Sequence, residues 1–435
     1  MREQRKRALL PKLRFPEFRE AGEWESKPLA QVCNILQGYG FPEVLQGKSE
    51  GKYPFCKVSD ISRAVAENGG LLVEATNYIG GDALLKLRAK PIPKGATVFA
   101  KIGEALRLNR RAYVQTECLI DNNATGLKAI DGVADDYFVY LLSQLIDLNK
   151  HCGGAVPSVN KSTLEEIEVV APGPDEQKRI ADCFSSIDVL ITAEAQKLDT
   201  LKAYKKGLMQ QLFPAEGETL PTLRFPEFLD TGEWEEKLLG SFIEEFREKS
   251  AVQDEFEVLT SARCGLVRQR EYYDNDRITE RDNIGFNIIP PNYLTYRSRS
   301  DDRRFYFNEN NLSITGIIST YYPVFRVLDG SNKFFVELLA RYSTIVGKYS
   351  VGTSQTVLSL NELRRIKLPL PKKTEQQKIA NCLTSIDELI TAQTQKLAAL
   401  KAHKKGLMQQ LFPSVGGVDG EAGRGGRPVV DEAQG

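Results

Sequence analysis

The chain has 435 residues, of which 41% are hydrophobic and 27% charged. This composition is typical of a globular protein that is large enough for two or three domains with separate cores. Lysine and arginine together number 58, as do aspartate and glutamate, so the zero net charge neither supports nor excludes binding to nucleic acid. No stretch approaches the roughly 18 apolar residues of a membrane span, and residues 1–10 lack the apolar region of a signal peptide. We therefore expect a cytoplasmic protein without a membrane partner.

The cysteines and histidines form no recognisable metal-binding pattern. The cysteines are scattered singly without a C-x-x-C pair, and the chain has two histidines with which to complete a zinc site. We expect reduced structural thiols and no bound metal. His151 and His403 lie far apart in sequence, which argues against a catalytic role for either. The seven cysteines are Cys33, Cys56, Cys118, Cys152, Cys183, Cys264 and Cys382.

Two segments of the chain occur twice, and they define its organisation. Residues 13–25 (LRFPEFREAGEWE) recur at residues 223–235 with three differences. Residues 175–214 recur at residues 374–413, and 28 of the 40 positions are identical. The chain therefore consists of two blocks, each framed by the same flanking sequences.

The longer repeat predicts a long amphipathic helix. Pro174 precedes two acidic residues that suit a helix N-terminus, and apolar residues follow at alternating steps of four and three. Polar residues interrupt this stripe at Glu194 and Lys205 in the first copy, and at the matching Gln393 and Lys404 in the second. A helix of about 40 residues is about 60 Å long. We expect the two copies to pair as an antiparallel coiled coil; the alternative is that each helix packs on its own globule.

The blocks between the repeats, residues 31–155 and 241–351, do not resemble each other. Both contain short apolar runs bounded by Gly, Pro and Asn, which predict strand-rich globules with a few helices. We therefore predict an α+β fold, with two α/β globules related by a pseudo-two-fold axis and separated by the two long antiparallel coiled-coil helices. The expected segments are an N-terminal flank (1–23), the first globule (24–173), a helix (174–214), a linker with the repeated flank (215–233), the second globule (234–372), a second helix (373–413) and a disordered tail (414–435).

This arrangement resembles the specificity subunits of type I restriction-modification systems over nearly all of residues 13–413. No single motif is specific to this family, but the whole set of motifs, in this order and in two copies, is specific to it. They are Trp24 and Trp234, the segments 53–61 (YPFCKVSDI), 98–103 (VFAKIG) and 312–316 (LSITG), the Glu-Gln pairs at 176–177 and 375–376, and the two GLMQQLFP helix endings.

The resemblance implies that the blocks are target recognition domains, each of which reads one half of a split sequence in double-stranded DNA. It also implies partners: two methyltransferase subunits, which modify adenine with S-adenosylmethionine, and two restriction subunits with motor and nuclease activity, which use ATP and Mg²⁺. No cofactor is expected in this chain, which would be non-catalytic. Because the two blocks differ so much, we expect an asymmetric bipartite target. The alternatives are a self-contained modification enzyme and a coiled-coil scaffold with two protein-binding heads.

A search for enzyme motifs favours the non-catalytic interpretation. Residues 289–293 (IPPNY) have the two prolines of an adenine methyltransferase motif but lack the preceding Asn or Asp, and Asn292 occupies the aromatic position. There is no GxxxxGK[ST] sequence for ATP, and Gly38-Tyr39-Gly40 is an isolated turn signal rather than a cofactor-binding loop.

Candidate DNA contacts are clusters of Arg, Lys, Asn, Gln and hydroxyl side chains, which can reach base edges and phosphates. Arginine dominates the clusters, which favours bidentate contacts; a solvated basic face is the alternative for each. In the first block the candidates are Lys57, Ser59, Lys101, Arg107, Asn109, Arg110, Arg111, Asn160 and Lys161. In the second they are Arg263, Arg268, Gln269, Arg270, Tyr296, Arg297, Arg299, Arg303, Arg304, Ser354 and Gln355.

Two further features have two interpretations each. The repeated LRFPEF segment at residues 13–18 either docks on a partner surface or packs against the adjoining helix. The lysine pairs at 205–206 and 404–405 either approach the DNA backbone or lie on a solvated helix face.

Overall fold

A computed structural model describes residues 9–262, 265–272 and 282–413. The predicted disordered tail, Cys264 and Arg263 lie outside the described residues. Contacts divide the chain into two units, one formed by Met1–Gln196 with Gln395–Gly435 and the other by Lys197–Thr394. In the part of the chain that the structure describes, no helix is both long enough and apolar enough to cross a membrane.

The first unit contains three small sheets and short helices. Its strands are β1 (Glu25–Pro28), β2 (Cys33–Gln37), β3 (Tyr53–Cys56), β4 (Leu71–Leu72), β5 (Tyr78–Ile79), β6 (Thr97–Ala100), β7 (Ala112–Val114), β8 (Leu119–Ile120), β9 (Ala124–Ala129) and β10 (Glu168–Ala171). They form a five-stranded sheet in the order β2-β9-β6-β7-β4, a three-stranded sheet in the order β5-β3-β8, and the antiparallel pair β1-β10. The short helices are α1 (Val58–Glu67), α2 (Gly81–Leu87), α3 (Glu104–Arg107), α4 (Asp136–Gln144) and α5 (Lys161–Glu166), with single 3-10 turns at Pro16–Phe18, Leu29–Gln31, Glu43–Leu45 and Leu148–Lys150.

The second unit follows the same plan with different strands. After the long helix α6 (Pro174–Leu212) come 3-10 turns at Pro226–Phe228 and Leu239–Ser241 and the strands β11 (Glu235–Leu238), β12 (Ile243–Phe246), β13 (Glu257–Ala262), β14 (Gly265–Arg268), β15 (Asn287–Ile289), β16 (Leu294–Tyr296), β17 (Arg299–Ser300), β18 (Phe307–Glu309), β19 (Gly316–Ile318), β20 (Val324–Val327), β21 (Thr356–Val357) and β22 (Lys367–Leu370). Two four-stranded sheets have the orders β12-β20-β16-β18 and β14-β13-β19-β15, beside the pairs β11-β22 and β17-β21. Its helices are α7 (Gln269–Tyr272), α8 (Asn332–Arg341), α9 (Ser343–Lys348), α10 (Leu360–Arg364) and α11 (Lys373–Leu411). The α+β prediction is confirmed.

The two long helices start where predicted, at residues 174 and 373, and end two residues earlier than predicted, at 212 and 411. In the first unit the start of α6 pairs with the end of α11 in antiparallel orientation, because Asp188 contacts Lys404 and Glu194 contacts Lys396. In the second unit the end of α6 pairs with the start of α11, where Lys205 contacts Asp387.

The apolar stripe of each helix divides its contacts between the other helix and a globule. In the first unit Ile180 and Phe184 of α6 lie in one core with residues of α4, β10 and the end of α11. In the second unit Ile379 and Leu383 of α11 lie in the corresponding core. Helix pairing and packing on a globule, which the sequence presents as alternatives, therefore occur together at different positions of the same stripe.

The two tryptophans lie at the centres of these two cores. The Trp24 ring lies 6.1 Å from that of Phe138 in α4 and 5.8 Å from that of Phe412, at the end of the second helix repeat. Trp234 has the matching neighbours Phe334 in α8 and Phe213, each at 6.1 Å. The repeated Trp and the repeated Leu-Phe-Pro ending therefore occur together because they pack against each other in each unit.

Candidate nucleic-acid interface

The repeated flank packs locally, against the start of the long helix. Arg14 donates from Nε and Nη2 to the two carboxylate oxygens of Glu176 at 2.7 and 2.6 Å, and both side chains are less than 10% exposed. Arg224 forms the same bidentate pair with Glu375 at 2.8 and 2.7 Å. The hydrogen bond to Glu375 raises the pKa of Arg224 above its ordinary value. Leu13 remains 41% exposed beside this pair, so local packing uses only part of the segment.

Three of the four polar interruptions of the helix stripe form ion pairs. Glu194 accepts from Lys396, and Lys404 donates to Asp188 at 2.6 Å. Lys205 contacts both Glu337 of α8, at 2.9 Å, and Asp387. Lys205 and Lys404 are thus held by carboxylates, and the prediction that they approach the DNA backbone is withdrawn. Their neighbours Lys206 and Lys405 are exposed.

In each unit, one pair of loops is held by the same backbone hydrogen bonds. In the first unit Ile102 faces Ser158: Gly103 N donates to Pro157 O at 2.8 Å, and Val159 N donates to Lys101 O at 3.0 Å. In the second unit Arg299 faces Val357 in the β17-β21 pair, where Leu358 N donates to Ser298 O at 2.9 Å.

The surrounding structure extends this correspondence. A buried aromatic residue, Phe99 or Tyr296, precedes the first loop by two positions in both units. The residue directly after the second loop is a helix N-cap in both units, Asn160 and Ser359, whose side chains accept from the backbone of α5 and α10. We name these the paired loops: residues 101–103 with 153–159, and residues 298–300 with 351–358.

The paired loops of the first unit bring candidate residues together. Lys101 begins the first loop, Lys161 lies two residues beyond the second loop at the start of α5, and Arg107 ends α3. Lys161 and Arg107 have partly exposed carboxylate neighbours, Glu165 at 3.5 Å and Glu104 at 3.4 Å. Asn160 is already engaged as the cap of α5, since its side chain accepts from Thr163 N at 2.8 Å.

Lys57 and Ser59 lie at the same end of this globule as Lys101. The turn at residues 121–123 lies between the two segments and bonds to both. Asp121 N donates to Cys56 O at 3.0 Å, and Lys101 N donates to Asn123 O at 2.8 Å. The Lys57 ammonium donates to Gln46 at 2.6 Å, and Ser59 is exposed on α1. This polar turn is absent from the sequence predictions, because its position depends on the parallel pairing of β3 with β8.

Arg111 and Asn109 are structural residues, and we withdraw them as DNA contacts. Arg111 is 4% exposed, and its guanidinium lies 4.6 Å from the Phe99 ring centre. Burial lowers its pKa to about 10, while Asp147 acts in the opposite direction. Asn109 has a left-handed backbone, and its side-chain oxygen accepts from Leu148 N at 3.0 Å. Arg110 stays at the surface between them, half-buried.

In the second unit, the cluster at residues 268–270 is largely neutralised. Arg268 donates to Glu257 at 2.9 Å and to Glu271 at 3.3 Å, and Arg270 contacts Glu257 at 2.8 Å. Gln269 is half-buried at the start of α7. These arginines therefore have less free charge for phosphates than their sequence suggests.

The other cluster of the second unit is assembled from two distant segments by its paired loops. Pairing of β17 with β21 places Ser354 and Gln355 beside residues 299–304. Gln355 donates to Asp301 at 3.3 Å, and Arg303 reaches Gly352 O at 3.5 Å. Among the described residues, no carboxylate lies within ion-pair distance of the exposed residues Arg297, Arg299 and Arg304. This surface therefore carries more arginines without an ion pair than any other predicted site.

Tyr296 is the exception in this cluster, and its prediction is withdrawn. Its side chain is fully buried, and its hydroxyl donates to Leu358 O at 3.0 Å. Burial raises its pKa well above the ordinary value. The sequence places it next to Arg297, but strand alternation directs the two side chains to opposite faces.

A cleft of 670 Å³ lies beside this surface, lined by Arg303, Arg304, Tyr306 and Lys348 among others. The residues predicted from sequence do not include Tyr306, Lys348 or Tyr321. The Tyr321 ring lies 4.0 Å from the Arg299 guanidinium. The pair Tyr321-Tyr322 before Pro323 is a signal that was available, since exposed tyrosines are enriched at binding surfaces.

The family described as "Type I restriction modification DNA specificity domain" matches the chain twice, at residues 21–203 and 232–402. The MjaVIII specificity subunit of Methanocaldococcus jannaschii, a type I restriction enzyme component, is 24% identical over 441 residues, covering 92% of this chain and 93% of that protein. The MjaIX specificity subunit of the same organism is 23% identical over 308 residues, covering 65% and 69%.

Two solved structures share the fold. The S subunit of a type I restriction-modification system from M. genitalium has a TM-score of 0.59 and 16% identity, covering 93% of this chain and all of that one. A chain from a study of complex assembly and conformational transition of the type I R-M system has a TM-score of 0.50 and 16% identity, covering 90% and 98%.

Proposed function

Because the chain belongs to the family of type I restriction-modification DNA specificity subunits, which are not enzymes themselves, we propose that its two units bind the two halves of a split double-stranded DNA target. The proposed recognition domains are residues 24–173 and 234–372. The helices at 174–214 and 373–413 serve as spacers between them. The target is asymmetric, because the two domains differ in sequence.

The observation that carries this proposal is the pair of loops common to both units. The backbone hydrogen bonds of the loops are the same, but their side chains differ: Lys101 and Ile102 correspond to Ser298 and Arg299. A constant backbone that carries variable, solvent-facing side chains is what sequence-specific reading requires, because base edges are distinguished by side-chain chemistry.

The proposed partners are two methyltransferase subunits and two restriction subunits with motor and nuclease activity. S-adenosylmethionine would bind the methyltransferase, and ATP with Mg²⁺ would bind the motor. None of the groups of His, Cys, Asp and Glu in the described residues is arranged to hold a metal ion, and the paired loops offer cations and amides to DNA rather than acid-base pairs.

The test is single-molecule sequencing of methyladenine in a host that expresses the chain with its partner methyltransferase. We expect a split motif with two unrelated half-sites, which disappears when this gene is deleted. Exchanging residues 24–173 for the corresponding block of a relative should change one half-site and leave the other intact. Methylation that does not depend on this gene would refute the proposal and favour a scaffold.

A variant pair tests the arginine-rich surface beside the paired loops of the second unit. Arg304→Ala removes an exposed arginine that forms no ion pair with the described residues and should weaken DNA binding by the complex. Arg268→Ala is the matched control, since this arginine is already paired with two carboxylates. We expect the control to have a substantially smaller effect, and equal effects would argue against this surface as the DNA-binding site.

A further inference from the structure

Arg299 is the one residue of the paired loops for which the structure defines both a fixed orientation and a free hydrogen-bonding edge. We infer that Arg299 reads a guanine in the half-site of the second unit, and that the first unit has no guanine reader at the matching position. This inference rests on the proposed DNA recognition and names the base that one loop selects.

Arg299 is held by stacking. Its guanidinium lies 4.0 Å from the ring centre of Tyr321, a contact that fixes the plane of an otherwise flexible side chain. Tyr321 is itself attached to the adjacent residue of the loop, because its carbonyl accepts from Ser298 N at 2.9 Å and from Ser298 Oγ at 2.7 Å. The arginine and the tyrosine therefore form one preorganised surface unit.

The edge of the guanidinium remains free. In the described chain no carboxylate lies within 4.0 Å of it, whereas Arg268, Arg270 and Arg326 of the same unit are all ion-paired. Stacking occupies the face of the guanidinium and leaves its in-plane N–H donors available. Two parallel donors on a fixed plane match O6 and N7 of guanine in the major groove, where arginine makes its commonest specific contact.

Phosphate is the competing ligand for the same edge. Phosphate oxygens can be contacted by flexible cations such as Arg297 and Arg304, which have neither a stacking partner nor an ion-paired carboxylate among the described residues. A fixed plane adds little to a phosphate contact but determines which base edge is accepted. The geometry therefore favours the base for Arg299 and the backbone for its neighbours.

The first unit has a different surface at the same backbone position. Ile102 corresponds to Arg299, and it is 36% exposed. Its side chain cannot donate to guanine, and Ser158, which it faces, has one hydroxyl donor rather than the two parallel donors of a guanidinium. We therefore expect the first half-site to be independent of guanine at this position, which makes it an internal control.

The experiment measures binding of the assembled complex to duplexes of its methylated motif in which each guanine is replaced in turn by 7-deazaguanine. This base keeps Watson–Crick pairing but lacks the N7 acceptor. With the wild-type complex we expect about a ten-fold loss of affinity at one guanine of one half-site. With Arg299→Ala the same replacement should cause no further loss. Arg299→Lys keeps the charge and can still donate to N7, but it lacks the planar fork and should therefore reduce the sensitivity. The control Arg326→Ala should retain it in full.

Several outcomes would overturn the assignment. A half-site for the second unit without guanine, or with guanines that all tolerate 7-deazaguanine, excludes a guanine reader. An unchanged ten-fold sensitivity in both Arg299 variants shows that another residue reads that base. If Arg299→Ala lowers the affinity equally for all sequences and leaves the methylated motif unchanged, Arg299 contacts a phosphate instead of a base. The absence of any split motif would instead count against the proposed function itself, so the two failures are distinguishable.

Discussion

Removing Arg224 should strongly destabilise the second unit, because it leaves the Glu375 carboxylate buried without its main partner. The two side chains are 7% and 2% exposed, and two of the three donors to Glu375 come from Arg224. The third is the indole N–H of Trp234 at 3.3 Å. Breaking a buried pair from one side costs about 3–5 kcal/mol, and Arg224→Met should fall in this range. Arg365→Ala is the control: that arginine is 73% exposed in its pair with Glu362, so its loss should cost less than about 1 kcal/mol.

The two tryptophans allow each unit to be followed separately during urea unfolding. They are the only tryptophans in the chain, one in each core. In a Trp24→Phe host, fluorescence reports on Trp234 and therefore on the second unit. The indole nitrogen of Trp24 has no hydrogen-bond partner, so this replacement removes no hydrogen bond. The reasoning is refuted if Arg224→Met costs less than about 1 kcal/mol. It is also refuted if adding Glu375→Gln, which removes the stranded charge, fails to restore stability.

Three other perturbations test separate parts of the structure. Gly38→Ala should lower the free energy of unfolding of the first unit by about 3 kcal/mol, because a Cβ there would lie 1.8 Å from Asp121 O. Gly40→Ala is the control, since its Cβ meets nothing within 4 Å and the change should be nearly neutral. Equal urea midpoints for the two variants would contradict this. Burial raises the pKa of Asp387, but hydrogen bonds and charges from two lysines hold it below its ordinary value. The ionised Asp387 therefore stabilises the second unit fully above about pH 4, and this contribution is lost as the pH falls through the lower pKa of the folded state. Asp387→Asn should flatten this acid dependence, and an unchanged pH profile would exclude the effect. Lys101→Ala should weaken DNA binding equally for all sequences and reduce the salt slope by about one, whereas an altered motif would show that Lys101 reads a base.

The repeats allowed the helices and the two-block plan to be predicted, since long periodic segments specify their own structure. The helix starts agree with the prediction, and the helix ends differ from it by two residues. The positions of the polar breaks could be predicted, but the partner of Lys205 could not. That partner, Glu337, lies in a helix of the globule rather than in the stripe. A break in a heptad indicates that a polar group is buried without indicating which side chain meets it.

The candidate contacts were less predictable, because counting cations in a segment ignores burial and tertiary ion pairs. Arg111 precedes strand β7 and points into the core, a direction set by its contact with Phe99. Arg268 is neutralised by Glu257 on the neighbouring strand β13. The pairing of residues 299–300 with 356–357 joins segments more than 50 positions apart, and no local pattern encodes such a contact.

The division of the chain into units has a consequence for synthesis on the ribosome. The second unit is one continuous segment, Lys197–Thr394, whereas the first unit needs Gln395 and the residues beyond it. At about 5–20 residues per second, the intervening 200 or so residues take roughly 10–40 s to translate. During this time the surface of Trp24 that Phe412 will cover stays open. The half that is synthesised first therefore completes its core last, which makes the nascent first unit the part of this chain most exposed to aggregation and to chaperone binding.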